Sequence, residues 1–420
     1  MTGCQNDEIV EETTNVNDEE FVDQKPLGFQ EEWETIEGKY IVFLKEEKIA
    51  SKFPGLIPDE ETVKTERENF SDDEKPNVIQ KNGKESPFRS FANTLVNKYS
   101  NKKANDVEAV YPSSYGFLVT LSDREAQELS EDEMVDHVGP DEIIAMHFEP
   151  LIRTPFIPSN RDGKVEKAPY GINAVGGSHD VEENPQYSPL WVWIVDTGVD
   201  RYHPDLNVIH ARDFTNDRDN VDGVGHGTHV AGIVAAKADG YGVTGVAAGA
   251  NIVSVKVLDK DGKGSVSQIV NGLNYIRRNS IPGDVINLSL GGDRQATIDF
   301  LIKKFAGTNV NIVMAAGNRA RDVSLVSPAN NDGPNLYTVG AIDWWNRYQW
   351  WSNYGASVDF VAPGLGILST FPGGKYAYMS GTSMAAPHVS GVLFLGFGSF
   401  RSNGTVYYKG RHITKLKHIK

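Results

Sequence analysis

Gly381-Thr382-Ser383-Met384-Ala385-Ala386-Pro387-His388 sets a serine between a glycine turn and a run of small residues, a pattern suited to opening a buried helix. A serine hydroxyl is almost wholly protonated at neutral pH, so Ser383 can attack a carbonyl only if a neighbouring base takes its proton and a third group orients that base. Both residue types occur upstream, in Asp196-Thr197-Gly198 and in Gly225-His226-Gly227-Thr228-His229-Val230-Ala231-Gly232. Asp196 follows the apolar run Val192-Trp193-Ile194-Val195 and so stands at the carboxyl end of an expected strand, where α/β sites are built. The two histidines, three apart on an expected first helical turn, also suit a metal. That reading fares poorly, because the His-Glu-x-x-His spacing is missing and no third ligand stands nearby. Attack on an amide builds charge on oxygen, which calls for preorganised donors, and Ala315-Ala316-Gly317-Asn318 follows another apolar run with a side-chain amide.

Taken in the order Asp, His, Ser, these motifs resemble the subtilisin-like serine proteases (peptidase S8), most closely the proteinase K branch, from about Ala168 to Gly391. The resemblance implies Asp196 as orienter, His226 as general base and acid, Ser383 as nucleophile and Asn318 as oxyanion donor, with His229 a structural, hydrogen-bonded histidine. Gly262-Lys263-Gly264-Ser265 and Ser289-Leu290-Gly291-Gly292 resemble the two segments that flank an extended peptide by main-chain hydrogen bonds. Gly262, Gly264, Ser289, Leu290, Gly291, Ala316 and Gly317 are therefore the expected substrate-binding positions. No acid falls in the stretches assigned to the primary pocket, which favours an apolar or aromatic side chain before the scissile bond. The resemblance also implies a structural Ca²⁺ held by the carbonyls of Pro334 and Leu336 and the carboxylate of Asp359, hard oxygen ligands on a surface loop. The rival from another class is a catalytically silent binding protein on the same fold.

From Trp191 onward, apolar runs at 191–195, 252–258, 285–290 and 310–315 alternate with helical periods at 266–277 and 298–305. Continuous apolar strands with crossover helices predict a mostly parallel sheet covered on both faces, an α/β fold. Before it, strands are expected at 39–45, 115–121 and 143–148, with a helix at 123–129 behind the Ser122 and Glu125 capping pair. This small α+β unit resembles the inhibitor-type propeptide of the same proteases. Residues 46–90, charged and broken by Pro54, Pro58, Pro76 and Pro87, read as an extended insertion rather than core. The resulting division is an acidic tail over 1–37, a propeptide over 38–150, a linker with maturation cleavage over 151–167 and a catalytic domain over 168–420. Two stretches depart from the family. Trp344-Trp345-Asn346-Arg347-Tyr348-Gln349-Trp350-Trp351 holds four of the seven tryptophans, either as local packing or as a recognition patch, and the short C-terminus predicts reduced or replaced final helices.

The net charge of -16 is unevenly spread: residues 1–37 hold twelve acids against Lys25 alone, and 389–420 hold none. Such an acidic block reads as a solvated, disordered tail. No basic patch suits nucleic acid, and no apolar run is long enough to span a membrane. The expected partners are polypeptide substrates and the chain's own propeptide, acting on a monomer. Cys4 is the sole cysteine, so no intramolecular disulfide forms. Met1-Thr2-Gly3-Cys4 resembles the end of a bacterial lipobox, which implies lipidation at Cys4, a true start further upstream and a secreted or envelope location. A cytoplasmic enzyme with a free thiol is the alternative if the written start is genuine.

Overall fold

The computed structural model describes residues 34–68, 86–100, 107–146, 166–182 and 184–418. The acidic tail to residue 33, Cys4, His147, Phe148 and the linker up to residue 165 lie outside them.

The larger domain is built on a nine-stranded sheet in the order Arg401–Tyr408, Arg411–Lys417, Val358–Pro363, Leu336–Ile342, Asn311–Ala315, Val285–Leu288, Val192–Asp196, Ile252–Lys256 and Val208–Asp213. Every neighbouring pair is parallel except the final hairpin, 401–408 with 411–417. Alternate residues of the central strand enter different cores: Val192 and Ile194 pack with helices His226–Ala235 and Thr382–Leu395, Trp193 and Val195 with Val266–Asn279 and Ala296–Lys303. Both faces are thus covered, which is why these strands carry apolar runs instead of alternation. From the central strand the chain moves to one side as far as 208–213 and 252–256, then crosses to the other side for 285–288 and beyond. The order reverses at Val192–Asp196, and the crevice at the carboxyl end of such a switch point is where α/β folds bind ligands. No final helices follow Leu395 among the described residues. A hairpin comes after it instead, its strand 411–417 adding to 358–363 and burying Val406 and Ile413.

The N-terminal unit is a sheet in the order Lys263–Ser265, Val135–Ala145, Glu34–Leu44, Gly116–Thr120 and Ala109–Tyr111, backed by Asp123–Ser130. Ser122 caps that helix through the reciprocal box with Glu125, as its spacing predicts. Three expectations are corrected. The first strand starts at Glu34, inside the expected tail, and the last runs from Val135 to Ala145, eight residues earlier than its apolar part suggested, because Asp136, Gly139, Pro140 and Asp141 interrupt the pattern. The insertion is not merely extended. Helices form at Glu46–Ile49, Glu60–Glu68 and Pro87–Val96, and Ile49, Val63 and Phe88 are buried. Single apolar residues spaced among charges left little period to read, yet each helix needs only one or two anchors when a neighbouring surface supplies the rest.

The two units share a sheet. Val135–Ala145 pairs antiparallel with Lys263–Ser265, in the register Ala145 to Lys263 and Ile143 to Ser265, and Met146 N–H donates to the Gly262 carbonyl at 2.8 Å. Helix termini tie the remainder. The Asp141 carboxylate accepts from Ser267 N–H at 2.8 Å in the first turn of Val266–Asn279, where a negative group is favoured. The Gln295 side chain caps Ala296–Lys303 and donates to Glu142 at 3.2 Å. His137 stacks on Phe300 at 5.1 Å and hydrogen-bonds Thr297 Oγ1 at 2.9 Å.

Burial lowers the His137 pKa from its ordinary 6.5, with Asp136 opposing. Docking therefore disfavours the proton: the His137 contribution is present above about pH 6.5 and is lost as pH falls through the lowered value. Asp141, raised by burial, acts in the opposite sense. Protection of the 135–145 amides in the full chain, corrected for intrinsic exchange, should fall more steeply between pH 7 and pH 5 in wild type than in His137→Asn. Equal slopes would show that His137 does not carry the pH response.

Candidate active site

Asp196 ends the central strand with its carboxylate fully buried. It accepts from Thr197 N–H at 2.7 Å, and Thr197 Oγ1 lies 3.2 Å away. His226 Nδ1 lies 2.8 Å from Oδ1 and 3.0 Å from Oδ2. A carboxylate only accepts, so Nδ1 carries the proton and Nε2 of a neutral ring is left as the acceptor. This approach depends on glycine. Gly225 precedes the helix at φ 92°, and a Cβ on Gly227 would collide with the Gly198 carbonyl and lie 3.1 Å from the Asp196 Cβ.

Sequence reasoning missed two groups that hold this corner. Asp222, buried and raised in pKa by that burial, accepts from Thr197 Oγ1 at 2.8 Å, Gly225 N–H at 2.7 Å, Thr228 N–H at 2.8 Å and Thr228 Oγ1 at 2.6 Å, joining the aspartate turn to the histidine helix. Lys256, fully buried, donates to the carbonyls of Thr197 at 2.9 Å and Leu258 at 3.0 Å, with Asp217 at 3.4 Å. The Asp-Gly-x-Gly-His spacing was a usable signal for Asp222; nothing local marks Lys256. His229 fits its structural reading, with Nε2 at 3.0 Å from the Ile367 carbonyl and 2.9 Å from that of Ala377, and burial pushes its pKa down to about 3.

Ser383 sits at the second position of Thr382–Leu395, a helix buried all round. Pro387 has no N–H, so the Ser383 carbonyl loses its intrahelical donor. The Ser289 hydroxyl supplies one at 2.8 Å, and the Ser383 hydroxyl donates back to the Ser289 carbonyl at 3.1 Å. Leu290 is buried in the core beside this pair, and Gly291 packs against the Ser327 carbonyl, where a Cβ would lie 2.9 Å away. The Ser383 N–H belongs to the first turn and has no intrahelical acceptor.

Asn318 stands across from it, 3 % exposed. Thr382 N–H and Oγ1 both donate to its Oδ1 at 2.9 Å, which turns Nδ2 the other way, buried and without a hydrogen-bond partner. A Cβ placed on Gly381 would lie 3.3 Å from Asn318 Nδ2 and 3.7 Å from the Ser383 nitrogen, so both donors border one small space. The segment before Asn318 is fixed by Thr382 Oγ1, which accepts from Gly317 N–H at 2.9 Å, and by Asn353, which takes the Ala316 carbonyl through Nδ2 at 2.8 Å and the Gly317 carbonyl through N–H at 2.8 Å. The aromatic stretch supplies that support. Tyr348 donates to the Asn353 carbonyl at 2.6 Å and stacks on Tyr408 at 4.1 Å, Trp351 is buried, and its carbonyl accepts from Ala320 N–H at 2.8 Å. Trp345 and Trp350 face outward, 53 % and 52 % exposed, so the run divides into a buttress and a surface pair.

Residues 190–400 match the subtilase family and residues 39–147 the peptidase inhibitor I9 family. The chain is 34% identical over 300 residues to subtilisin NAT of Bacillus subtilis subsp. natto, covering 70% of this chain and 73% of that protein. It belongs to the subtilase family. The thermophilic serine proteinase of Bacillus sp. (strain AK1) is 42% identical over 214 residues, 50% of this chain and 52% of its own. The M-protease of Shouchella clausii (strain KSM-K16) is 38% identical over 260 residues, 61% and 67% of the two chains. This subtilase is a serine endopeptidase preceded by an inhibitor-type propeptide, the arrangement of a zymogen. The propeptide strand 135–145 occupies the Gly262–Ser265 edge, main chain to main chain, as an added peptide strand does.

Among the described residues no group of three or more His, Cys, Asp or Glu is placed to hold a metal. Of the expected Ca²⁺ ligands, Leu336 begins the strand Leu336–Ile342, Pro334 stands two residues before it and Asp359 lies on the strand paired with it. Asp359, in the strand beside Leu336–Ile342, accepts from Thr338 N–H at 2.8 Å, and the Pro334 carbonyl receives only a long 3.4 Å bond from Gly307. Burial, reinforced by Asp332, pushes the Asp359 carboxyl up to about 6. Asp205 is a second such group, pushed up to about 7 by burial, with Oδ1 unpaired and Asp239 and Glu166 adding negative charge.

The buttress can be tested. Asn353→Ala removes the side-chain bonds to Ala316, Arg319 and Arg321 that fix the Asn318 loop, leaving the main-chain bond to Gly317, and should lower kcat by roughly 10- to 100-fold with KM changed much less. Steady-state kinetics on a small peptide substrate decide it; an unchanged kcat would reduce Asn353 to packing.

Proposed function

We propose that peptide bonds are cut by Ser383 through an acyl-enzyme, with His226 as base then acid, Asp196 as orienter, and Asn318 Nδ2 with the Ser383 N–H as the oxyanion donors. The observation that carries this is the unpaired, buried Asn318 amide bordering the same space as the Ser383 nitrogen. Leaving such a group unsatisfied costs about 1–3 kcal/mol, a cost that makes sense where charge will develop. The Ser383 hydroxyl hydrogen turns from the Ser289 carbonyl to His226 Nε2, the oxygen attacks the carbonyl carbon, and the oxyanion forms between the two donors. His226 then protonates the leaving amine, and water hydrolyses the ester by the same steps in reverse.

The substrate lies as a strand against Gly262 and Gly264 on one side and the Ser289 to Gly291 segment on the other, and uncharged Leu290, Ala316 and Gly317 favour an apolar or aromatic residue before the scissile bond. The propeptide holds that edge until self-cleavage within 151–167. Trp345 and Trp350, with the Arg347 guanidinium 4.3 Å over the Trp345 ring, extend contact with protein substrates beyond the cleft. The enzyme acts as a monomer, secreted or at the cell envelope, with Cys4 as the lipid-bearing residue that its lipobox-like context suggests. The full-length Ser383→Ala chain should lose fluorophosphonate labelling and remain uncut, with kcat down by on the order of 10⁵ to 10⁶, and Asn318→Ala should lose about 10²–10³. Labelling that persists in Ser383→Ala would overturn the nucleophile.

Structural Ca²⁺ belongs with Asp359 and the carbonyls of Pro334 and Leu336, whose buried carboxylate and weakly used main-chain oxygen suit a hard cation; Asp205 offers a second position. Neither takes part in bond cleavage. If the folded state alone binds, chelation should lower the melting temperature by roughly 5–10 °C, and Asp359→Asn should remove the part of the response due to its own position, leaving only what Asp205 contributes. A melting temperature indifferent to chelator would exclude both positions.

A further inference from the structure

The propeptide insertion makes a second attachment to the protease domain, at the opposite end of the sheet from the triad. Arg67, in helix Glu60–Glu68, reaches a pocket formed where the parallel strands Val192–Asp196 and Val285–Leu288 begin. Its guanidinium carbon lies 3.7 Å from the Trp191 ring centroid and its side chain is 6% exposed. Nε and Nη2 donate to the Asn279 carbonyl at 2.9 and 2.6 Å, and Nη1 donates to the Pro189 carbonyl at 2.8 Å. Both Nη atoms bond Asp284, the Nη1 to Oδ1 distance being 3.2 Å. The pocket is shaped for a planar, five-donor cation: a carboxylate for the fork, two carbonyls at the edges, one of them at the carbonyl-rich end of Val266–Asn279, and an indole face.

The pocket is built from the protease side. Asp284 is fully buried and is held by Trp191 N–H at 2.9 Å, Trp193 Nε1 at 3.0 Å and Ile281 N–H at 3.1 Å. Val63, one turn before Arg67 on the same helix, is 3 % exposed and joins the protease core cluster that contains Leu190 and Ile281. Arg278 adds an ion pair to Glu66 at 3.1 Å, half exposed and of small weight. Trp191 stands just before the strand Val192–Asp196 and Asp196 ends it, so this pocket and the triad aspartate stand roughly 16 Å apart along it.

We propose that the Trp191 and Asp284 pocket is an arginine-recognising exosite that latches the propeptide through Arg67, so that the inhibitor stays bound after the chain is cut at the active site. The consequence for activation rests on the self-processing reading above; the latch itself does not. Two attachments on one covalent unit bind with the second at high effective concentration, so loss of either releases the other faster without altering its contacts. Strand 135–145 then inhibits at the cleft, and helix 60–68 sets how long it stays.

The test uses the full chain in two forms. In the uncut Ser383→Ala background, the amides of 60–67 are protected from hydrogen exchange, and Arg67→Ala, Arg67→Lys and Val63→Asp each lower that protection on the order of tenfold or more while 135–145 remains protected. In the active chain, Arg67→Ala shortens the interval between cleavage and full peptidase activity on the order of tenfold, and the final kcat/KM equals wild type, because Arg67 leaves with the propeptide. Protection of 60–67 unchanged in all three variants overturns the exosite. Protection lost with an unchanged interval overturns its role in retention. A wild-type chain that never cuts itself sinks the self-processing reading alone, and the exchange measurement still decides the latch.

Discussion

Everything at the cleft depends on one buried carboxylate. Asp196 has no exposed surface, and an ionised group in that position is tolerated only when donors replace its water. Thr197 and His226 are those donors. Meeting the requirement fixes the turn after the central strand, brings the histidine helix close enough to demand glycine at 227, and sets the tautomer that leaves Nε2 ready to accept a proton. Asp222 and Lys256 extend the constraint. One ties the turn to the helix, the other pins the Thr197 carbonyl from the neighbouring strand, so the geometry of the pair is shared by four segments of chain.

The serine side is built on a different economy, one of main-chain groups left without partners. Pro387 strips the Ser383 carbonyl of its helical donor, and Ser289 takes the place. The helix start leaves the Ser383 N–H outside the helical ladder, and Thr382 turns Asn318 so that its amide faces the same space. A deletion in a helix and an orphaned amide would be faults elsewhere. Here they fall beside the Ser383 hydroxyl, and the unfulfilled hydrogen bonds border the space that the proposed mechanism gives to the developing charge.

What could be read from the chain divides along the same physical line. Asp196, His226, Ser383 and Asn318 were legible because each lies in a short motif whose glycines and small residues allow close backbone approach, and the apolar runs betrayed a sheet buried on both faces. Lys256 was invisible, since a lysine ending an apolar strand looks like a solvated boundary until three oxygens are seen to surround it. The strand from Val135 to Ala145 was cut short by its own polar residues, which turn out to serve the interface: Asp141 caps a helix of the partner domain, and Gly139 lets the backbone approach Thr297. The aromatic run could not be assigned to packing or exposure from composition, because its members alternate between the two.

The insertion shows the same limit more sharply. Its helix 60–68 carries mostly charged residues, and a window of that composition gives no reason to expect a docked element. Docking needs only Val63 and Arg67, four apart and therefore on one face. The information that makes these two residues matter is held elsewhere, in Trp191, Asn279 and Asp284, which become neighbours only after the parallel strands have formed. A guanidinium is weakly hydrated for a cation, so its transfer into a pocket already carrying an oriented carboxylate and an indole face is less costly than for a lysine. The charge that argued against burial is thus the feature that the pocket selects, and the order of dependence runs from the sheet to the pocket and from the pocket to the insertion.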